Sequence, residues 1–256
     1  MSDPAGSKVF CIVCGAGETG LAVARELAGH GFRVTIVDHD ADILESVSTE
    51  LPGVGTVEGN CLSDVVLKQA GLSDAEALFA VLPDDRSNVF LSLSAGRIKP
   101  ELKIYSIASD TSAARKLRLV GVRRTINPNT AEGLRMSNEL IRPNVAAFLN
   151  RLVYAADQGE DGIRYLSVPI PDSVAPGGTT LGALRVTELT GVVVVAVGRK
   201  NGDMVYSPSA DVRVGSGDQL IAFGTSGDGD KIRGLIEKSH AETRTRRGIR
   251  RLLRKP

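Results

Sequence analysis

The sequence is poor in the side chains that most often carry acid-base chemistry. Its three histidines are His30, His39 and His240, and residues 130 to 225 hold neither a histidine nor a Tyr-x-x-x-Lys pair. A dehydrogenase draws its proton donor from such groups, so hydride-transfer catalysis is not expected and no catalytic residue is assigned. Three cysteines, Cys11, Cys14 and Cys61, are too few and odd in number for a disulfide framework. The longest apolar runs, Val9 to Cys14, Ala77 to Leu82 and Val192 to Val197, are six residues, whereas a bilayer-spanning helix needs about 20. The opening MSDPAGSK has no apolar stretch of the signal-peptide kind, which gives the expectation of a cytoplasmic protein.

Charge of one sign is also scarce: 31 Lys and Arg face 30 Asp and Glu across 256 residues. That balance conceals an uneven distribution. Seven bases and no acid lie between Thr243 and Pro256, leaving 24 bases against 30 acids in the rest, a net of −6. The tail spaces Ile249, Leu252 and Leu253 among arginines, which suits either an anionic membrane surface or a solvated end. No aromatic residue is interleaved there, so nucleic acid is not an expected partner. With 42% apolar residues, 24% charged and a mean hydropathy of +0.01, the composition is that of an ordinary globular protein of one or two domains.

Up to about Pro143 the chain repeats a β-branched run, a turn and a segment with helical spacing, which is the pattern of a parallel sheet. Strands are predicted at Val9 to Val13, Arg33 to Val37, Gly55 to Glu58, Ala77 to Leu82, Lys103 to Ile107 and Arg124 to Ile126, with helices between them. Continuous runs such as VTIV indicate a sheet covered on both faces. From Asn129 a long helical stretch follows, broken at Arg142-Pro143-Asn144 because a pre-proline residue disfavours the α region. Gln158 to Gly162 reads as a linker, and four short strands and one helix near Asp228 to Lys238 complete the chain. The expected fold is therefore α/β, a Rossmann-type doubly wound parallel sheet with a helical connector and a small C-terminal α+β domain. The expected boundaries are 1–143, 144–159, 160–239 and a basic tail at 240–256.

The most informative segment is VFCIVCGAGETGLAVARELAGHGFRVTIVD. A strand runs into Gly15-Ala16-Gly17-Glu18-Thr19-Gly20 and a helix follows at once. Gly15 permits the tight turn, Gly17 lets the backbone approach a pyrophosphate, and Gly20 allows close helix–strand packing. The helix start favours an anion. Asp38 ends the second strand 23 residues after Gly15, where a carboxylate accepts ribose hydroxyls and repels a 2′-phosphate, favouring NAD over NADP. His39 beside it is the one cation that could offset this. Cys11 and Cys14 have CxxC spacing, but on a strand they point to opposite faces and read as core residues. Cys61 fits either a pocket wall or a packing position.

These residues resemble the RCK or KTN family, found in TrkA-type and KtrA-type potassium-transport subunits and in the cytosolic gating rings of prokaryotic potassium channels. Further marks are Gly59-Asn60-Cys61, Leu82 to Asn88 (LPDDRSN), Gly121 to Pro128 (GVRRTINP) and, in the second half, Val168-Pro169-Ile170-Pro171, Leu181-Gly182 and GVVVVAVGRKNGDMVYSPSADVRVGSGDQLIAFG. The single repeat is KtrA-like. The resemblance implies a nucleotide site made of Gly15, Ala16, Gly17, Glu18, Thr19, Gly20, Asp38, His39, Asn60, Cys61, Val81 and Leu82. It implies a bound nucleotide, for which the residues favour NAD(H), with ADP or ATP as alternatives; no metal ligand is assigned. It also implies a homo-oligomer of dimers assembled into an octameric ring. That ring would lie at the inner face of the membrane and regulate an integral-membrane potassium channel or transporter.

Several positions depart from the family pattern. Asn60 stands where many members have an Asp facing adenine, and Glu18 stands where ATP-responsive members have an Arg, which disfavours a γ-phosphate. Asn129 replaces a Glu that helps hold a cation in some members. Ile107-Ala108-Ser109 lacks the acids of calcium-gated relatives. Arg199 and Pro208 resemble positions used by cyclic-dinucleotide-binding relatives, although non-binding relatives share the hairpin. The alternatives are an NAD-dependent oxidoreductase and a regulatory domain of a cation/proton antiporter.

Overall fold

The computed structural model describes residues 9–153, 163–172, 174, 178–225 and 227–237. The expected linker at 158–162, the opening residues and the basic tail lie outside the described residues. The chain forms two compact units, Met1–Ser137 and Asn138–Pro256.

In the first unit strands and helices alternate: β1 (Phe10–Cys14), α1 (Glu18–Gly29), β2 (Arg33–Asp38), α2 (Ala41–Glu50), β3 (Gly55–Glu58), α3 (Asp64–Gln69), β4 (Ala77–Ala80), α4 (Asp85–Ile98), β5 (Lys103–Ile107), α5 (Thr111–Leu119) and β6 (Arg124–Ile126). The six strands lie in the order β3-β2-β1-β4-β5-β6 and every pairing is parallel. All five residues of β1 are buried because helices cover both faces. Phe10, Ile12 and Cys14 pack with Leu67, Leu91 and Leu117 of α3, α4 and α5. Val13 packs on the opposite face with Ala24, Leu44 and Val47 of α1 and α2. The chain leaves β1 toward β2 and β3, then crosses to β4 on β1's other side. A crevice therefore opens where β1 and β4 end, the usual ligand position of such sheets.

Helix α6 (Pro128–Ile141) carries the chain across the boundary between the units, and α7 (Pro143–Val153) follows after one residue. Pro143 has no N–H to continue the ladder. Arg142 still donates to the Asn138 carbonyl at 2.8 Å, and Ala146 resumes with the Arg142 carbonyl at 2.9 Å.

In the second unit β7 (Arg164–Pro169), β9 (Val193–Gly198), β10 (Met204–Tyr206) and β12 (Gln219–Gly224) form an antiparallel sheet in the order β10-β9-β12-β7. A second, two-stranded ladder joins β8 (Thr179–Thr180) to β11 (Arg213–Val214). Short helices α8 (Leu181–Leu184) and α9 (Val186–Thr190) follow β8, and α10 spans 227–237. Burial alternates along β7, as it does in a sheet with one wet face. Leu166 and Val168 face a core shared with Leu220, Ile232 and Ile236. The sequence reading placed the four longer strands and the last helix but had neither the β8–β11 ladder nor α8 and α9.

Candidate nucleotide-binding site

The connection between β1 and α1 is only three residues, Gly15-Ala16-Gly17. Gly15 turns the chain at φ +110°, and a Cβ there would lie 2.8 Å from the Val81 carbonyl oxygen at the end of β4. Its N–H donates to the Val37 carbonyl at 2.9 Å. A Cβ on Gly20 would sit 1.9 Å from the Gly15 carbonyl oxygen, so α1 can lie this close to the turn only without a side chain there. Gly17 differs from both. It is exposed, has φ −67°, and a Cβ added to it would meet nothing within 4 Å. No side chain caps α1 at Gly17, which leaves its leading N–H groups available to an anion. Glu18, in the first turn, is exposed and Thr19 is half-buried.

Asp38 closes β2 with 9% of its surface exposed. Its Oδ2 accepts the Ala16 N–H at 2.7 Å and its Oδ1 accepts the Asp40 N–H at 3.1 Å. His39 Nδ1 lies 2.9 Å from Oδ1 with its side chain 86% exposed. Burial alone would raise the Asp38 pKa. The backbone N–H groups of Ala16, Asp40 and His39, together with the His39 ring, outweigh it and hold the carboxyl below its ordinary value. Oδ1 already faces both the Asp40 N–H and the His39 ring, so the lone pair open to a ligand hydroxyl is on Oδ2.

A cleft of about 290 Å³ opens beside Asp38, walled by Asn60, Cys61, Leu82 and Ser87 among others. Pockets for small molecules start near this size, at about 300 Å³, enough for the adenosine part of a nucleotide. Asn60 is exposed, and its Oδ1 accepts the Leu62 N–H at 2.9 Å, which leaves its amide hydrogens free to donate. Gly59, at φ +153°, packs against Val66 and donates to the Asp38 carbonyl at 2.7 Å. Asp38, His39, Asn60, Cys61 and Leu82 share this cleft. Gly15 to Gly20 form the turn beside it, and Val81 backs Gly15.

The sequence reading missed Asn88. It is fully buried on α4, accepts the Leu82 N–H at 3.0 Å and donates to the Leu82 carbonyl at 2.9 Å. It thereby fixes the cleft wall that Leu82 provides. In sequence the LPDDRSN segment is distinctive as a whole and gives no role to its last residue. The described residues include no cluster of three or more His, Cys, Asp or Glu able to hold a metal ion. Among them no helix is long and apolar enough to cross a membrane.

A glycine turn entering an uncapped helix, with a carboxylate at the end of the next strand, defines a Rossmann-type domain of the dinucleotide-binding class. Comparison with known proteins narrows this. Residues 11–128 match the TrkA-N domain and residues 167–237 match the TrkA-C domain, and the chain belongs to the RCK family, which joins these two domains. It is 29% identical over 226 residues to Potassium channel protein 1 of Methanocaldococcus jannaschii, covering 88% of this chain and 66% of that protein. It is 22% identical over 241 residues to the Trk system potassium uptake protein TrkA homolog of Pyrococcus abyssi, covering 91% of this chain and all of that one. In fold it is similar to the human SLO3 gating ring, with a TM-score of 0.63 at 15% identity over 88% of this chain and 45% of that one.

Proposed function

We propose that the protein is a nucleotide-binding regulatory subunit or domain, not an enzyme, that controls potassium movement through an integral-membrane channel or transporter. The observation that carries this reading is the uncapped start of α1 beside the buried Asp38 carboxylate, at the crevice between β1 and β4. In this reading Gly17, Thr19 and Gly20 cradle phosphates on backbone N–H groups, Gly15 and Ala16, whose own N–H groups go to Val37 and Asp38, shape the turn that brings them there, Asp38 with His39 holds ribose, and Asn60 donates to the base. Cys61, Val81 and Leu82 line the walls. The exposed Glu18 carboxylate repels added phosphate charge, so NAD(H) ranks ahead of ADP and ADP ahead of ATP.

The site regulates by binding two arrangements of an oligomeric ring with different affinity. The exposed Leu140, Ile141, Val145 and Leu149 of α6 and α7 provide apolar contact area for a second copy. The assembly is an octameric ring built from dimers, acting at the cytoplasmic face of the membrane. Residues 1–143, 144–159 and 160–239 serve as nucleotide domain, connector and C-terminal domain.

The test is a thermal-shift panel with NAD, NADH, ADP, ATP and cyclic di-AMP on the wild type and Asp38→Ala. A ligand at 100 times its Kd adds about 2.7 kcal/mol of stability. The expected result is a shift with NAD or NADH that the substitution removes. No shift with any nucleotide would overturn the assignment.

A further inference from the structure

Cys14 and Cys61 stand 47 positions apart in sequence and meet beneath the nucleotide crevice. Cys14 is the last residue of β1, directly before Gly15. Cys61 directly follows Asn60 in the loop from β3 to α3. Cys61 Sγ donates to the Val37 carbonyl at 3.3 Å, and Val37 is the residue that pairs with Cys14 across β1 and β2. Both thiols belong to the apolar cluster on one face of the sheet, and each acts on the other's proton affinity. Cys11 takes no part, since alternation along β1 turns it to the opposite face.

The two sulfurs are unequal. Cys14 is fully buried and reaches no solvent. The neighbouring Cys61 thiol, and then burial, hold its pKa well above the ordinary thiol value. Cys61 is 5% exposed and forms part of the cleft wall. The Cys14 thiol beside it lowers the Cys61 pKa against burial and the Asp38 charge, which raise it. One thiol is therefore within reach of a small oxidant and the other is held behind it, the arrangement of an attacking cysteine and its resolving partner.

We propose that Cys14 and Cys61 form an oxidation site for small hydroperoxides, closing to a disulfide that joins β1 to the loop carrying Asn60. In the first step the Cys61 sulfur attacks the peroxide. An S–O bond forms, the O–O bond breaks, one water or alcohol leaves, and Cys61 becomes a sulfenic acid. In the second step the Cys14 sulfur attacks the sulfenic sulfur. The S–S bond forms, the S–O bond breaks, and the hydroxyl leaves as water with the Cys14 proton. Two thiols are oxidised and one peroxide is reduced. A thiol reductant such as dithiothreitol reverses the change by exchange. The loop that the disulfide tethers is the one assigned above to the base, so the coupling to ligand rests on the nucleotide reading, whereas the cross-link itself does not.

The experiment treats the folded full chain with hydrogen peroxide, blocks remaining thiols with an alkylating agent, and maps disulfides by mass spectrometry, with and without NAD. The expected product is a Cys14–Cys61 link in the wild type and in Cys11→Ser, reversed by dithiothreitol, formed several-fold more slowly under saturating NAD, and absent in Cys61→Ser. Over-oxidation of Cys61 without a link, a link through Cys11, or no reaction on the folded wild type would overturn the proposal. A Cys14–Cys61 link whose rate NAD leaves unchanged, in a protein that no nucleotide stabilises, would uphold the oxidation site and reject the nucleotide reading.

Discussion

The Ala16 N–H donates to Asp38 Oδ2 at 2.7 Å, a contact between residues 22 positions apart. It ties the glycine turn after β1 to the end of β2, so the carboxylate assigned to ribose also shapes the loop assigned to phosphate. Asp38→Ala removes the acceptor for two backbone N–H groups. Hydrogen bonds to a charged group are worth about 1.5–3 kcal/mol, and the ligand-free protein should lose stability on that scale in urea unfolding. Asp38→Asn keeps one acceptor oxygen and should lose less stability, while still losing most NAD affinity. A variant that binds NAD as the wild type does would show that Asp38 shapes the loop only.

The same pair predicts a pH dependence. The Asp38 carboxyl is held below its ordinary value in the folded chain, and in the unfolded chain it titrates near about 3.9. The unfolded state therefore binds the proton more readily. The stability that Asp38 lends is complete above about pH 5 and is lost as pH falls through 4 toward the folded value. Measured from pH 7 downward, the stability gap between wild type and Asp38→Asn should stay constant to about 5 and then narrow. A gap that widens on acidification would reverse the sign.

The glycines of the turn separate packing from binding. Gly20→Ala places a methyl 1.9 Å from the Gly15 carbonyl oxygen, which forces α1 away from the turn. Its cost should lie in the overpacking range of about 1–3 kcal/mol or above. Gly17→Ala meets nothing within 4 Å and keeps a φ of −67° that any residue adopts. It should change apo stability by less than about 0.5 kcal/mol yet weaken NAD by crowding the phosphates. Equal losses of stability in the two variants would contradict the geometry.

How much of this was legible beforehand depends on the range of the interactions. Gly15, Gly20 and Asp38 stand out in sequence because a turn, a close contact and a strand end each demand one residue type within a 24-residue stretch. The six strands of the first unit were readable because each is built on a short apolar or β-branched run between turn signals. The meeting of Cys14 with Cys61 was not, since it follows from β3 lying two places from β1 and leaves no periodic trace. Nor were α8 and α9 legible: they are separated by Arg185 at φ 51°, a left-handed position that a residue with a Cβ rarely takes. The β8–β11 ladder is only two residues long, too short for alternation to register. Gly178 beside it is a glycine for a tertiary reason, because a Cβ there would lie 1.8 Å from the Val214 carbonyl oxygen.

Arg199, which resembles a cyclic-dinucleotide contact in sequence, is engaged within its own unit. Its Nη1 lies 2.8 Å from Asp218 Oδ2 and 2.6 Å from the Arg213 carbonyl. Asp218 is 9% exposed and also accepts the N–H groups of Gly215 at 3.0 Å and Lys200 at 3.3 Å. The pair therefore binds the end of β9 to β11 and to the turn entering β12. Asp218→Asn replaces an oxygen that accepts N–H groups with an NH2 that cannot, and should destabilise the second unit by about 1.5–3 kcal/mol. Arg199→Met should be destabilising as well, and the double variant should fall short of the sum by about 0.5–3 kcal/mol, as coupled partners do. Unfolding curves for the four proteins give this number directly. Additive losses would mean that the ion pair does not hold the ladder together. A selective loss of cyclic di-AMP stabilisation in Arg199→Met, with unfolding unchanged, would instead assign the arginine to a ligand.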